Sequence, residues 1–208
     1  KKYKEKNISE ISSKLLKGIG KVLKIHGSRD YFKIQLKKDF FAEIIPVIKI
    51  SKPEESENIT DLSYSHVKYI REKLKSEKIL NEVLIAKAFC HANKCYGAES
   101  YVQGFSGYAI ELLILHYKSF EKLAREIAKE KKEKIVIDTE KHFKDKKKVF
   151  VDLNSSKLMS PIILIDPTYK YRNALAALNE ETFNRFKKVL KFSREEPQQT
   201  NKKTRFII

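Results

Sequence analysis

The stretch YGAESYVQGFSGYAIELL, residues 96–113, concentrates glycine in a chain that otherwise contains little of it. Gly97, Gly104 and Gly107 lie close together and are three of the six glycines in 208 residues. Apolar residues at helical spacing precede the stretch over 79–95 and follow it over 107–129. We therefore predict two helices, the first ending with Gly97 as its C-cap and the second buried along its first half.

Shorter patterns on either side predict a mixed fold. The first fifty residues alternate helix and strand signals, and the last eighty carry short apolar runs between turns. The predicted helices cover 8–24, 64–74 and 180–192. The predicted strands cover 31–37, 40–46 (more buried), 134–138, 149–153 and 161–167, with the lysine-rich run 144–148 as a hairpin turn.

This order predicts an α/β part followed by a mainly helical part with a few strands. We expect domains at 1–52 and 58–193, followed by an extended basic tail over 194–208. At this length the chain can form one large domain or two small ones with enough core to fold unaided.

Charge is the strongest feature of the composition. Lys and Arg number 44 against 27 Asp and Glu, a formal net charge of +17. Such a chain attracts polyanions, nucleic acid above all, although lysine enrichment of the whole proteome would produce the same balance. The two cysteines form no disulfide framework, and no apolar stretch is long enough to cross a bilayer. We expect a cytoplasmic protein without a membrane segment.

Glu43 is a carboxylate inside the apolar strand pattern FFAEIIPVI. An unpaired carboxylate on a buried strand costs several kcal/mol. Glu43 is therefore either an edge-strand residue that faces solvent or a lysine, or a ligand of a divalent metal, because carboxylate oxygens suit Mg²⁺.

Other polar residues are open to two interpretations. Lys87 in VLIAKAFC either extends to the surface or contacts a phosphate, with the Tyr96 hydroxyl beside it at the helix end. His66 is either an ordinary surface histidine or an anion ligand near a helix start. In IDPTYKYRN, Asp166 fits a structural turn, and Arg172 could read a base or a phosphate through its planar guanidinium.

Several blocks occur in an order that resembles the archaeal, class I CCA-adding tRNA nucleotidyltransferases, over about residues 10–193. They combine into a specific pattern, although each alone is weak. The blocks are YGAE (96–99), GFSGY (104–108), the DP…RN pair in IDPTYKYRN (165–173), Glu43, and Asp61 and His66 in ITDLSYSHVKY (59–69).

The resemblance implies the C-terminal part of a polymerase-β-like nucleotidyltransferase palm, followed by a helical central domain. It implies Mg²⁺ held by three carboxylates, and CTP and ATP as substrates for building the 3′-terminal CCA of tRNA without a template. The tRNA acceptor stem would be the nucleic-acid partner.

Residue roles follow from the same resemblance. Glu43 takes the place of the third metal-binding carboxylate, where the family usually has Asp. GFSGY corresponds to a tight turn into a buried helix, where glycine permits positive φ and close backbone approach beside the nucleotide. Arg172 corresponds to the arginine that recognises the base edge. The positions that hold the incoming triphosphate are Ser63, His66, Lys87 and Tyr96.

The chain also departs from the family. The Gly-Ser loop and paired acidic motif expected before residue 8 are absent, as are the C-terminal tail domains, and Leu62 replaces a usual arginine. Three interpretations remain: an enzyme completed by a second polypeptide or a missing N-terminal segment, an inactive tRNA- or RNA-binding remnant, or a relative of poly(A) polymerases or oligoadenylate synthetases. We favour the first over the remnant, because a non-catalytic protein would not need the triphosphate pocket of Lys87, Tyr96 and Arg172.

Overall fold

The computed structural model describes residues 5–27, 29–130 and 133–195. The chain divides into two compact units, residues 1–69 and residues 70–208, so the division falls inside the helix Ser63–Lys73. Among the described residues, no helix is long and apolar enough to cross a membrane. The predicted tail lies outside the described residues beyond Glu195.

The first unit begins with a helix and a three-stranded antiparallel sheet. Its small core consists of Leu16, Phe32 and Ile34, with Val22 packed against them. The elements are α1 (Glu5–Leu15), β1 (Val22–Ile25), β2 (Tyr31–Lys37) and β3 (Phe40–Ile44), in the sheet order β1-β2-β3.

The helix predicted over 8–24 is wrong beyond Leu15. Gly18 and Gly20 have φ values of 91° and 132°, which a right-handed helix does not contain, and β1 follows them. The two strands predicted next are confirmed as β2 and β3, but the prediction that the second is more buried is wrong. β3 is an edge strand with exposed side chains, because apolar residues are buried only where another layer packs on them.

Two short 3₁₀ helices, Pro53–Glu55 and Ile59–Leu62, lead into α2 (Ser63–Lys73). The helix predicted over 64–74 is therefore confirmed. Because α2 crosses the division between the units, its first residues belong to the first unit and its last residues to the second.

The second unit combines helices with a mixed sheet. The sheet order is β4-β5-β6, in which β4 and β5 are parallel and β5 and β6 antiparallel. The elements are α3 (Glu77–Ala92), α4 (Gly107–Tyr117), α5 (Phe120–Lys129), β4 (Ile135–Ile137), α6 (Lys146–Asp152), a 3₁₀ helix (Ser155–Leu158), β5 (Ile162–Asp166), β6 (Tyr169–Asn173) and α7 (Glu180–Glu195).

The core of the second unit lies where the sequence is most apolar. Every residue of β5 is buried, and so are six residues of α4, as its continuous apolar pattern predicts. The strands predicted at 134–138 and 161–167 and the helix at 180–192 are confirmed. The fold class is thus mixed helices with two small sheets.

Three predicted elements of this unit differ in the structure. The helix predicted over 107–129 is two helices, because Lys118 has a left-handed φ of 70° and Ser119 caps a new helix. The helix predicted to reach Gly97 ends at Ala92.

The strand predicted over 149–153 and the turn at 144–148 are wrong, because this region forms α6. Asp145 caps the helix by accepting a hydrogen bond from Lys147 N at 3.0 Å. Val149 and Leu153, four residues apart, then contact the same apolar cluster as Ile163 and Ile165. A short apolar run suits either a strand or a helix, and here the cap favours the helix.

Candidate functional site

Residues 95–97 and 104–105 run side by side before α4. Phe105 N donates to Cys95 O at 2.8 Å, and Gly104 N donates to Gly97 O at 2.8 Å. A Cβ on Gly104 would lie 2.2 Å from Cys95 O, so only glycine fits. The close backbone approach predicted for GFSGY is confirmed, but the positive φ falls at Gly97 and not within GFSGY.

Lys87 and Tyr96 meet the beginning of α4 at Gly107. A Cβ on Gly107 would lie 2.8 Å from the Tyr96 hydroxyl oxygen and 3.8 Å from Lys87 Cε. The Tyr96 ring stacks on His91 with centroids 3.8 Å apart. Glycine at this position therefore leaves room for a hydroxyl group beside the first turn of the helix.

Lys87 is held by a carboxylate one turn further along α4. Lys87 Nζ donates to Glu111 Oε1 at 2.6 Å, and both side chains are about three-quarters buried. The ammonium group thus stays at the helix face and does not extend into solvent. Sequence reasoning missed Glu111, although it is the one charged residue in GYAIELLIL.

Asp166 joins α4 to the β5–β6 hairpin. Its Oδ1 accepts hydrogen bonds from the Tyr108 hydroxyl at 3.0 Å and from Thr168 N and Oγ1 at 2.8 Å. Its Oδ2 accepts from Arg172 Nη1 at 2.6 Å, and the carboxylate is fully buried. Burial, and then the Asp166 carboxylate, raise the pKa of Tyr108, so this phenol remains a donor. Asp166 has the predicted structural role and also orients Arg172.

Arg172 lies on β6 and not on a loop or helix start. Its side chain is 18% exposed, and its guanidinium carbon lies 5.8 Å from the centroid of the Tyr108 ring. Asn173, the next residue, is buried and makes four hydrogen bonds. Its Oδ1 accepts from Leu164 N and Leu175 N, and its Nδ2 donates to Lys157 O and Ile162 O. These bonds fix the end of the hairpin that carries Arg172.

The structure therefore brings three predicted site residues to one place in the second unit. Lys87 and Tyr96 lie beside Gly107, and Arg172 lies beside Tyr108, the next residue of α4. Two cationic side chains and a hydroxyl group at the start of a helix of eleven residues form an arrangement that can bind an anion.

The other predicted site residues lie in the first unit. Glu43 is on β3 with its side chain 53% exposed, and its Oε1 lies 4.0 Å from Lys33 Nζ on β2. This contact fits the interpretation of an edge-strand residue facing a lysine. Among the described residues, no group of three or more His, Cys, Asp or Glu side chains could hold a metal ion.

Ser63 and His66 lie on the first turn of α2, where Ser63 is exposed and His66 half-buried. Residues three apart lie on one side of a helix. Asp61 fixes the preceding segment, because it pairs with Arg29 and accepts from Ile48 N at 2.8 Å. Burial opposes its ionisation, but the hydrogen bonds from Arg29 and from backbone groups hold the pKa of Asp61 below its usual value.

Leu62 is 1% exposed, so the position where the resembling family usually has an arginine is part of the interior here. An arginine side chain at this position would need a different local packing to reach a phosphate. This departure of the sequence therefore has a structural counterpart.

Comparison with known proteins gives consistent matches. Residues 81–202 match the family model described as "tRNA nucleotidyltransferase, second domain". The CCA-adding enzyme of Nanoarchaeum equitans is 41% identical over 184 residues, which are 88% of this chain and 46% of the relative. The CCA-adding enzymes of Pyrobaculum aerophilum and Methanocaldococcus jannaschii are 33% and 34% identical over 74% and 69% of this chain, and 33% and 31% of their own. The chain thus spans half or less of the length of these relatives.

Proposed function

Because the chain belongs to the tRNA nucleotidyltransferase family, we propose that it is part of a template-independent enzyme that adds or repairs the 3′-terminal CCA of tRNA. CTP and ATP are the substrates, and the tRNA acceptor stem is the partner. The observation that carries the proposal is the convergence of Lys87, Tyr96 and Arg172 on the first turn of α4, within the matched residues 81–202. The cytoplasm, where both cysteines remain reduced, is the proposed compartment.

In this proposal the second unit binds the nucleotide. Lys87 and the Tyr96 hydroxyl contact the triphosphate, and Glu111 keeps the Lys87 ammonium at the helix start until the anion arrives. Arg172 contacts the base edge, and Asp166 and Tyr108 hold its guanidinium in place. Ser63 and His66, on α2, supply further phosphate contacts.

Glu43 is the proposed metal ligand of the first unit. Its carboxylate is of the type that Mg²⁺ prefers, and the exposed side chain is accessible. One carboxylate does not make a two-metal site, and the described residues contain no cluster to complete it. The ion would orient the triphosphate and the attacking 3′-hydroxyl only with carboxylates from another segment. Until then Lys33 is the counter-ion of Glu43.

The exposed apolar side chains of β3 support a further segment that docks here. Phe40, Phe41 and Ile44 are 58, 46 and 37% exposed, and β3 is the edge of its sheet. An exposed apolar edge strand of this kind pairs readily with another strand. The partner is a second polypeptide, or another segment of the same protein, that carries the Gly-Ser loop and the paired acidic motif.

The test is transfer of labelled CMP and AMP to a tRNA without CCA. It uses the 208-residue chain alone and then together with the N-terminal half of the Nanoarchaeum equitans relative. We expect transfer only in the mixture, and Glu43→Ala should abolish it while tRNA binding persists. If binding to tRNA persists but no mixture transfers a nucleotide, the chain is an RNA-binding remnant and the proposal is wrong.

A further inference from the structure

A second concave site lies in the second unit, away from the start of α4. It is a cleft of about 530 Å³, a size typical of ligand sites. It lies between the end of α4, the end of β4 and the start of α6. The lining residues that matter here are His116, Asp138, Lys141, Phe143, Lys144 and Lys146.

The cleft is at the opposite end of α4 from the nucleotide residues. Nine residues separate Gly107 from His116, which is about 14 Å along the axis and two and a half turns. The two residues therefore leave the helix on opposite faces. A ligand in the cleft would not be the nucleotide held by Lys87 and Tyr96.

The rim of the cleft is positively charged. The side chains of Lys141, Lys144 and Lys146 are exposed and line it, against a single lining carboxylate, Asp138. Desolvation, and then the ammonium groups of Lys118, Lys122 and Lys146, lower the pKa of His116. The same groups make the cleft attractive to an anion.

The floor of the cleft is apolar and includes one aromatic ring. Phe143 is half-buried and packs against the core cluster of Val149 and Ile163. Asp138 Oδ2 accepts from Phe143 N at 2.9 Å and so holds this residue in place. Asp138 Oδ1 is buried and meets no hydrogen-bond donor in the part of the chain that the structure describes. A ligand that brought an amino or hydroxyl group to it would remove the cost of that unsatisfied acceptor.

We propose that this cleft binds a nucleotide of a single-stranded RNA segment, with the phosphates on Lys141, Lys144 and Lys146 and the base on Phe143. A bare anion would use only the lysines, whereas a nucleotide also uses the aromatic ring and supplies amino and hydroxyl donors. Proteins bind single-stranded nucleic acid through this combination of cationic groove and aromatic surface. The site does not depend on nucleotidyl transfer, so its test is a binding measurement.

The experiment compares two double variants of the 208-residue chain that remove equal charge from one short segment. Lys144→Gln/Lys146→Gln changes two lysines that line the cleft. Lys147→Gln/Lys148→Gln changes two equally exposed neighbours that do not line it. Binding of a fluorescent octanucleotide RNA is measured by anisotropy at several KCl concentrations, and thermal unfolding checks that each variant is folded.

We expect the cleft variant to bind RNA about ten-fold more weakly near 0.1 M salt. Its slope of log affinity against log salt should be lower by about 1.4, because each lost phosphate contact on a single strand removes about 0.7. The neighbouring variant should keep the slope of the parent. Equal losses in both variants would mean diffuse attraction by the lysine-rich surface and would overturn the proposal.

Phe143→Leu tests the base contact. Leucine keeps the packing on the core but loses the stacking surface, so RNA affinity should fall about five-fold while inorganic polyphosphate affinity stays constant. Equal falls for RNA and polyphosphate would overturn the base contact. If the cleft variants lose affinity for CMP or AMP but not for the octanucleotide, the ligand is a free nucleotide and the proposed RNA site is wrong.

Discussion

The sheets of the two units are built from similarly apolar sequence but differ in burial. In β5, IILID, every residue is buried, whereas in β3, FFAEI, four of five residues are exposed. Helix α6 and the strands β4 and β6 surround β5, and β3 is an edge strand. Apolar composition alone therefore does not say whether a strand lies inside a folded unit.

The difference also extends to charged residues. Asp166 ends the buried strand and is satisfied inside the second unit by Tyr108, Thr168 and Arg172. Glu43 lies on the exposed strand and has only a long contact with Lys33. We infer that the second unit is internally complete and that the first still has apolar surface to cover.

The largest effect should follow from Asp166→Ala. This change leaves the Arg172 guanidinium next to a cavity without its carboxylate, so the free energy of unfolding should fall by about 3–5 kcal/mol. Chemical denaturation followed by circular dichroism measures it. The matched control is Glu181→Ala, which removes the exposed ion pair with Arg185. It should cost less than about 1 kcal/mol. Equal small losses would mean that the interior of the second unit does not depend on Asp166.

An intermediate effect compares one isoleucine from each sheet. Ile163→Ala empties a fully buried site on β5 and should lower the free energy of unfolding by about 2–5 kcal/mol. Ile44→Ala on β3, where the side chain is 37% exposed, should cost less than about 1 kcal/mol. A similar cost at both positions would contradict the difference between the sheets, since it would mean that β3 is covered.

The smallest effect concerns acid stability of the first unit. Asp30 Oδ2 lies 2.8 Å from Lys24 Nζ, and Oδ1 lies 2.6 Å from His26 Nδ1. The hydrogen bonds from Lys24 and Ser9 lower the pKa of Asp30, against the effect of burial. A lowered folded-state pKa adds stability above the unfolded value of about 3.9, and this stability is lost as the pH falls through the folded value.

Asp30→Asn should therefore be less stable than the parent at pH 7, and the difference should shrink as the pH is lowered below about 4. Unfolding curves recorded at each pH measure the difference. Asp39→Asn, in the exposed turn between β2 and β3, is the control. A difference that stays constant between pH 7 and pH 3 would contradict the assigned role of Asp30.

Much of the candidate site could be predicted from sequence, because its residues stand out locally. Lys87 and Arg172 are charges next to apolar runs, and the glycines before α4 mark places where other groups approach the backbone. Glu111 and Tyr108 could not be assigned roles in this way, since their partners Lys87 and Asp166 are 24 and 58 residues away in the chain.

The sequence by itself determined the buried elements of the second unit, since the apolar pattern of α4 and β5 leaves them no stable place except a core. It also determined the family, through YGAE, GFSGY and the DP…RN pair. Only the tertiary structure decided the break at Lys118, the helix α6 and the exposure of β3. These depend on which surfaces pack against each element, and packing is a property of residues far apart in the chain.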